Sequence, residues 1–237
     1  MRTSLIACAM LEDELKRAIE ETGCTLPVHW IDRGLHNTPS RLRAEVQAVI
    51  DTLTPTSDTI LMAYGLCGGA MEGLVSTGAR LVFPLFHDCI QMLLFGADGE
   101  NHKENDILYF TRGWTQDEQF IGNEYARFCA RRGEKKARMA YRAMLSGYRS
   151  VCLVDTGCYE LPPAMDKLRP VAQLLDLDCC VQPGSTEILK ELLTGRWEKH
   201  FYILAPGHPL SMVEFLERSA ALTGYDGTPV GIPQPGG

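Results

Sequence analysis

The chain has 237 residues, and its 23 basic and 30 acidic side chains give a formal net charge of −7. Its 45% apolar and 22% charged residues are typical of a globular protein and exclude a disordered or fibrous chain. No apolar run approaches the roughly 20 residues that span a bilayer, and an acidic chain lacks the basic surface that sequence-independent nucleic-acid binding needs. We therefore expect neither a membrane nor a nucleic acid as a partner.

Predicted strands and helices alternate through most of the chain. The apolar runs predict strands at 4–9, 27–32, 59–64, 80–84, 107–111, 151–155, 179–182 and 201–205. Amphipathic patterns and capping signals predict helices at 10–22, 39–53, 87–95, 162–175, 185–193 and 211–224. Segment 117–146 has no strand pattern and is predicted to be helical, with a break at Gly133. The alternation predicts an α/β fold with a mainly parallel sheet flanked by helices, a Rossmann-like three-layer arrangement.

The two runs of alternating elements suggest two lobes. We predict a first α/β lobe at 1–115, a helical insertion or linker at 116–147, a second α/β lobe at 148–225 and an irregular tail at 226–237. One continuous sheet with a helical insertion is the alternative.

Nine cysteines make up about 4% of the chain, below the ~8–10% of disulfide-rich scaffolds. Their odd number and their position beside apolar segments indicate a cytoplasmic protein that keeps its thiols reduced. Five of them are interpreted as packing residues, namely Cys24, Cys129, Cys152, Cys179 and Cys180.

Reactive side chains follow several of the predicted strands. In open α/β sheets, ligands bind at the carboxyl ends of the strands, so side chains placed there converge. The side chains concerned are Cys8, His36, Cys67, His87, Asp88, Cys89, Trp114, Asp155 and Cys158. We infer that the functional site lies at this edge.

The loop after the third strand reads Gly65-Leu66-Cys67-Gly68-Gly69. Glycines permit a left-handed backbone and a close approach to a ligand, so Gly65, Gly68 and Gly69, together with Trp114, are candidate cofactor-binding residues. The loop lacks the P-loop and dinucleotide motifs. It is either a tight turn with a small buried cysteine or a loop that presents a thiolate.

Three of the cysteines follow three different strands. Cys8, Cys67 and Cys89, with His87 or His36, would form a Cys₃His site for zinc or supply thiolates to an iron–sulfur cluster. Because no CxxC pair is present, the chain is not a zinc ribbon or finger. Asp88 is a candidate catalytic residue, or it caps the helix that begins beside it.

A second hypothesis is a cofactor-independent racemase or epimerase. Cys67 and Cys158 would act as paired thiol bases on the two faces of a substrate, with Asp155 as a further catalytic candidate. An ordinary turn with a half-buried cysteine explains the 155–160 segment equally well.

Segment 127–142 carries seven basic residues. It is either a solvated helical face or a patch for an anionic ligand or an acidic partner.

Several of these segments together resemble one family. They are Ile6-Ala7-Cys8, Leu35-His36-Asn37, Tyr64-Gly65-Leu66-Cys67, His87-Asp88-Cys89-Ile90, Gly113-Trp114, Asp155-Thr156-Gly157 and Leu192–Trp197. The chain resembles the family called domain of unknown function 1638 over residues 4–208. The resemblance implies an anaerobic source and a link to corrinoid-dependent methyl transfer. A non-catalytic partner of a methyltransferase system is therefore a third hypothesis, beside the metal site and the racemase. The functional positions that it implies are Cys8, His36, Cys67, His87, Asp88 and Cys89, whereas Cys158 lies outside its pattern.

Overall fold

The computed structural model describes residues 2–224, except for the side chain of Asn37. The predicted tail at 226–237 lies outside the described residues. The described chain folds into two compact units, the first formed by residues 2–102 and 185–224 and the second by residues 103–184.

The strands are β1 (Thr3–Cys8), β2 (Val28–Ile31), β3 (Thr59–Ala63), β4 (Arg80–Pro84), β5 (Ile107–Phe110), β6 (Ser150–Asp155), β7 (Asp178–Pro183) and β8 (Phe201–Leu204). The helices are α1 (Glu12–Thr22), α2 (Pro39–Leu53), α3 (Cys89–Leu93), α4 (Arg112–Thr115), α5 (Ile121–Arg132), α6 (Glu134–Met144), α7 (Leu161–Leu175), α8 (Glu187–Thr194) and α9 (Met212–Thr223). Short 3-10 turns lie at Ala9–Leu11, Arg33–Asn37 and Thr54–Thr56.

The first unit contains a five-stranded sheet in the order β2-β1-β3-β4-β8. Strands β1 to β4 are parallel, and β8 pairs antiparallel with β4. All five residues of β3 are buried, which explains why that strand is a continuous apolar run without alternation. Helix α2 packs against β1 and β2, and α8 packs against β3, β4 and α1.

The second unit contains the parallel sheet β5-β6-β7. Its core forms where Val151 and Leu153 of β6 meet Leu168 of α7, and Phe110 packs edge-to-face on Phe120 with ring centroids 5.7 Å apart. Helices α5 and α6 lie against α7. The predicted α/β class with mainly parallel sheets and flanking helices is confirmed.

Local capping signals account for several helix ends. Gly133, at φ +84°, separates α5 from α6, and Ser211 Oγ accepts the N–H of Glu214 at 3.4 Å at the start of α9. The helix predicted at 87–95 is shorter, because Asp88 is the N-cap of α3.

The units do not divide where the predicted lobes do. Residues 185–224 return to the first unit because β8 pairs with β4, and β5 belongs to the second unit because it pairs with β6. The helical middle segment is part of the second unit.

Across residues 2–224, no helix combines the length and apolar character needed to cross a membrane.

The nine cysteines are free thiols. The packing interpretation is wrong for Cys179, which is exposed because β7 is an edge strand.

Candidate functional site

The loops that follow β3 and β4 lie along each other at the carboxyl edge of the first sheet. The N–H of Leu66 donates to the carbonyl of Phe86 at 3.3 Å, and the N–H of Cys67 donates to the carbonyl of His87 at 3.2 Å. A β-carbon added to Gly65 would lie 2.5 Å from the Cα atom of Asp88. Gly65 therefore brings the two loops into backbone contact and leaves no space for a ligand at its own position.

Cys67 has an unusual backbone conformation for a residue with a side chain. Its φ is +47°, and Gly68 and Gly69 follow at +63° and +85°. A left-handed conformation costs a non-glycine residue roughly 1–2 kcal/mol, so the surrounding structure must hold Cys67 in place. Arg43 contributes to this, because its guanidinium donates to the carbonyls of Gly69 and Ala70 at 2.9 and 3.3 Å.

Three buried cysteines interact electrostatically with the Tyr64 side chain, and we call Cys8, Cys67 and Cys89 the thiol cluster. Their residues are only 4%, 6% and 3% exposed, and Tyr64 is 1% exposed. Ala7 pairs with Ala63 between β1 and β3, so Cys8 and Tyr64 are the next residues on adjacent strands. The Tyr64 hydroxyl interacts electrostatically with all three thiols. Cys8 and Cys89 also act on the pKa of Cys67, so the three side chains are neighbours, whereas a common site for them stays a prediction.

Burial controls the protonation of Cys67 and Tyr64. It raises the pKa of the Cys67 thiol well above its usual range, and the neighbouring Cys8, Cys89 and Asp88 side chains raise it further. A hydrogen bond from the Gly65 backbone acts in the opposite direction. Burial also raises the pKa of Tyr64, again with contributions from the three cysteines. The Cys67 thiol is consequently neutral at pH 7 unless a cation compensates its negative charge.

Asp88 and Gln91 fix the start of α3, whose first residue is Cys89. The Asp88 carboxylate accepts the N–H of Gln91 at 2.7 Å, and the Gln91 side-chain carbonyl accepts the N–H of His87 at 2.7 Å. Asp88 thus acts as the helix cap, as its position beside a helix start suggested.

The two candidate histidines lie on the loops after β2 and β4. His36 belongs to the 3-10 turn Arg33–Asn37 and has a buried Nδ1 atom, whereas the buried ring atom of His87 is Nε2. In the part of the chain that the structure describes, no group of three or more His, Cys, Asp and Glu side chains is arranged as a metal site. The thiols are neighbours, but they do not already surround a common coordination point.

The remaining candidates belong to the second unit. Trp114 packs beside the core of that unit, from α4. Asp155 ends β6 and accepts the N–H of Gly157 at 3.0 Å, and the Cys158 thiol donates to the carbonyl of Thr156 at 3.4 Å. Because Cys67 and Cys158 belong to different units, the paired-base hypothesis stays a prediction.

The sequence analysis assigned no role to four polar residues of the first unit. Glu14 and Gln91 are 1% and 0% exposed, and the spacing of Asp88 to Gln91 is that of a capping box, which could have indicated Gln91. His200 Nδ1 lies 2.6 Å from a carboxylate oxygen of Glu191. The carbonyl of His200 accepts the N–H of Leu85, which places this pair at the carboxyl end of β4. The pair was missed because His200 precedes β8. A residue that precedes a strand lies at the carboxyl edge of this sheet only if the strand is antiparallel, as β8 is.

Comparison with known protein families gives a match. A family model described as protein of unknown function, DUF1638, matches residues 30–193, which include Cys67, Asp88 and Cys89 but not Cys8. Neither a curated protein nor a solved structure matches the chain.

Proposed function

The chain belongs to the DUF1638 family, and we propose that its thiol cluster binds a thiophilic metal centre, a zinc ion or an iron–sulfur cluster. Cys8, Cys67 and Cys89 would be the ligands. The observation that carries the proposal is that three buried thiols, each of which ends or follows a strand of one sheet, interact electrostatically with one hydroxyl.

The chemistry of the donor set fits such a centre. Thiolates are soft ligands that select zinc, copper(I) and iron–sulfur clusters over hard cations. A bound cation would offset the negative charge of buried thiolates, so that its binding would displace the thiol protons. When bound, the metal would supply a Lewis acid that lowers the pKa of a substrate thiol or water.

The residues of the chain have separable roles in this proposal. The left-handed loop fixes the backbone of Cys67, the Gly65 hydrogen bond stabilises its thiolate form, and Asp88 holds the helix start that carries Cys89. Since the thiols of the described structure do not already share a coordination point, their side chains would have to rotate to bind one ion. His87 or His36 remains the candidate fourth ligand.

A metal-free thiol base is less well supported. Burial raises the pKa of Cys67, which leaves little thiolate at neutral pH to remove a proton from a substrate. The racemase hypothesis and the accessory role in a corrinoid-dependent methyl-transfer system both stay predictions.

Metal analysis of the anaerobically purified protein tests the proposal. We expect about one zinc ion or one iron–sulfur cluster per chain, and we expect Cys67→Ala and Cys89→Ser to lose most of it. Cys24→Ser is the matched control, because Cys24 is a half-buried cysteine of the same unit outside the thiol cluster. Circular dichroism of each variant separates metal loss from misfolding.

Two results would refute metal binding by the cluster. One is less than about 0.2 metal per wild-type chain after anaerobic purification and reconstitution with zinc or with iron and sulfide. The other is a metal content that the folded Cys67→Ala and Cys89→Ser variants retain.

A further inference from the structure

The hairpin formed by α5 and α6 concentrates positive charge in an acidic protein. Residues 121–144 carry seven basic and two acidic side chains, a net charge of +5, which leaves −12 for the rest of the chain. The basic residues are Arg127, Arg131, Arg132, Lys135, Lys136, Arg138 and Arg142, and all are exposed. The hairpin is held together from within by edge contacts of Tyr141 with Tyr125 and Phe128, at centroid distances of 5.3 and 6.2 Å.

Most of this charge is not compensated locally. Arg127 pairs with Glu124, and Arg142 lies 3.8 Å from Asp176. The other five basic side chains form no ion pair with any carboxylate among residues 2–224. Lys135 and Lys136 occupy the first turn of α6, where the helix dipole disfavours cations. The stability of α6 therefore does not explain why Lys135 and Lys136 are basic.

The outer face of α6 also exposes an apolar side chain. Met139 is 71% exposed, although most of its neighbours on this face are charged. Met139 lines a shallow depression of about 440 Å³, together with Glu134, Lys135, Arg138 and Arg142. An exposed methionine surrounded by arginine and lysine resembles the composition of protein interfaces, in which Met and Arg are enriched.

We propose that this outer face of α6 docks an acidic protein surface that presents carboxylates around an apolar side chain. Arginines bind carboxylates through paired hydrogen bonds, and Met139 would provide the dry centre of the contact. The −12 charge on the rest of the chain would repel a long polyanion, which disfavours nucleic acid. In a symmetric dimer through this face, two hairpins with a net charge of +5 each would lie against one another. Their repulsion disfavours such a dimer.

Binding of defined probes tests the proposal. The first probe is a fluorescent helical peptide in which a leucine is flanked by glutamates, and its counterpart carries glutamines instead. Single-stranded oligothymidylate and phosphatidylglycerol vesicles are the competing anions. We expect the full-length protein to bind the glutamate peptide at least about tenfold more tightly than the other three probes, with an affinity that falls as salt rises.

Two charge-matched double variants locate the contact. The double variant Lys135→Glu with Arg138→Glu should weaken peptide binding by about tenfold or more. The control variant Arg41→Glu with Lys199→Glu changes the net charge by the same amount at exposed positions elsewhere. It should change the affinity for the peptide by less than about twofold. Met139→Gln should weaken binding without changing its salt dependence. The proposal is overturned if both double variants weaken binding equally or if oligothymidylate or vesicles bind more tightly than the glutamate peptide. It is also overturned if sedimentation shows a dimer that Lys135→Glu with Arg138→Glu dissociates.

Discussion

Replacement of Gly65 by alanine is the sharpest test of how the two loops at the site fit together. The new β-carbon would lie 2.5, 2.7 and 2.8 Å from the Cα, C and N atoms of Asp88, whereas carbon contacts are optimal at about 3.5–4.0 Å. The loops would have to separate by about 1 Å, which breaks the hydrogen bonds from Leu66 and Cys67. Overpacking of about 1–3 kcal/mol and two lost bonds of about 1 kcal/mol each predict a loss of about 3–5 kcal/mol in the free energy of unfolding.

Urea denaturation followed by circular dichroism measures this loss, and the reaction of the thiols with Ellman's reagent reports whether the cluster opens. Gly68→Ala is the matched control, because Gly68 has a φ of +63° but no atom within 4 Å of an added β-carbon. It should lose only about 1–2 kcal/mol, the cost of a left-handed alanine. If Gly65→Ala is no less stable than Gly68→Ala, the inferred backbone contact is wrong.

Three further predictions concern single side chains. In urea denaturation, the free energy of unfolding of Cys67→Gly should be about 1 kcal/mol higher than that of Cys67→Ala. Both variants lack the sulfur, and only glycine adopts a φ of +47° without strain. Equal stabilities would argue against backbone strain at this position. Burial raises the pKa of Tyr109 to about 12, so absorbance titration should show one late-ionising tyrosine fewer in Tyr109→Phe than in the wild-type protein. Because the folded pKa lies above the unfolded value of about 10, its stabilising contribution is complete below pH ~10 and is lost as the pH rises towards ~12. Ser211→Ala should lower the free energy of unfolding by about 0.5–1 kcal/mol through the lost cap of α9, and an unchanged urea midpoint would contradict that cap.

The candidate site was predictable where it depends on strand order. Cys8, Cys67 and Cys89 each follow a strand of a parallel sheet, so their convergence could be inferred from the alternation of elements. The involvement of Tyr64 could not, because it depends on the register between β1 and β3.

His200 shows where the same reasoning fails. The expectation of parallel strands places a residue that precedes a strand at the amino edge of the sheet, away from the site. Strand β8 is antiparallel, so His200 and Glu191 lie at the edge where β4 ends. Strand direction within a sheet depends on pairing between distant segments, and a local pattern does not encode it.

The sequence by itself determined the local structure of this protein. The break at Gly133, the cap at Ser211 and the apolar strands depend on backbone preferences and side-chain periods that act over a few residues. The tertiary structure alone decided that residues 185–224 rejoin the first unit, that Gly65 contacts Asp88 and that Cys67 adopts a left-handed conformation. These features arise from contacts between segments that are far apart in the chain or from constraints that such contacts impose, and their energies are set by packing that no short sequence window contains.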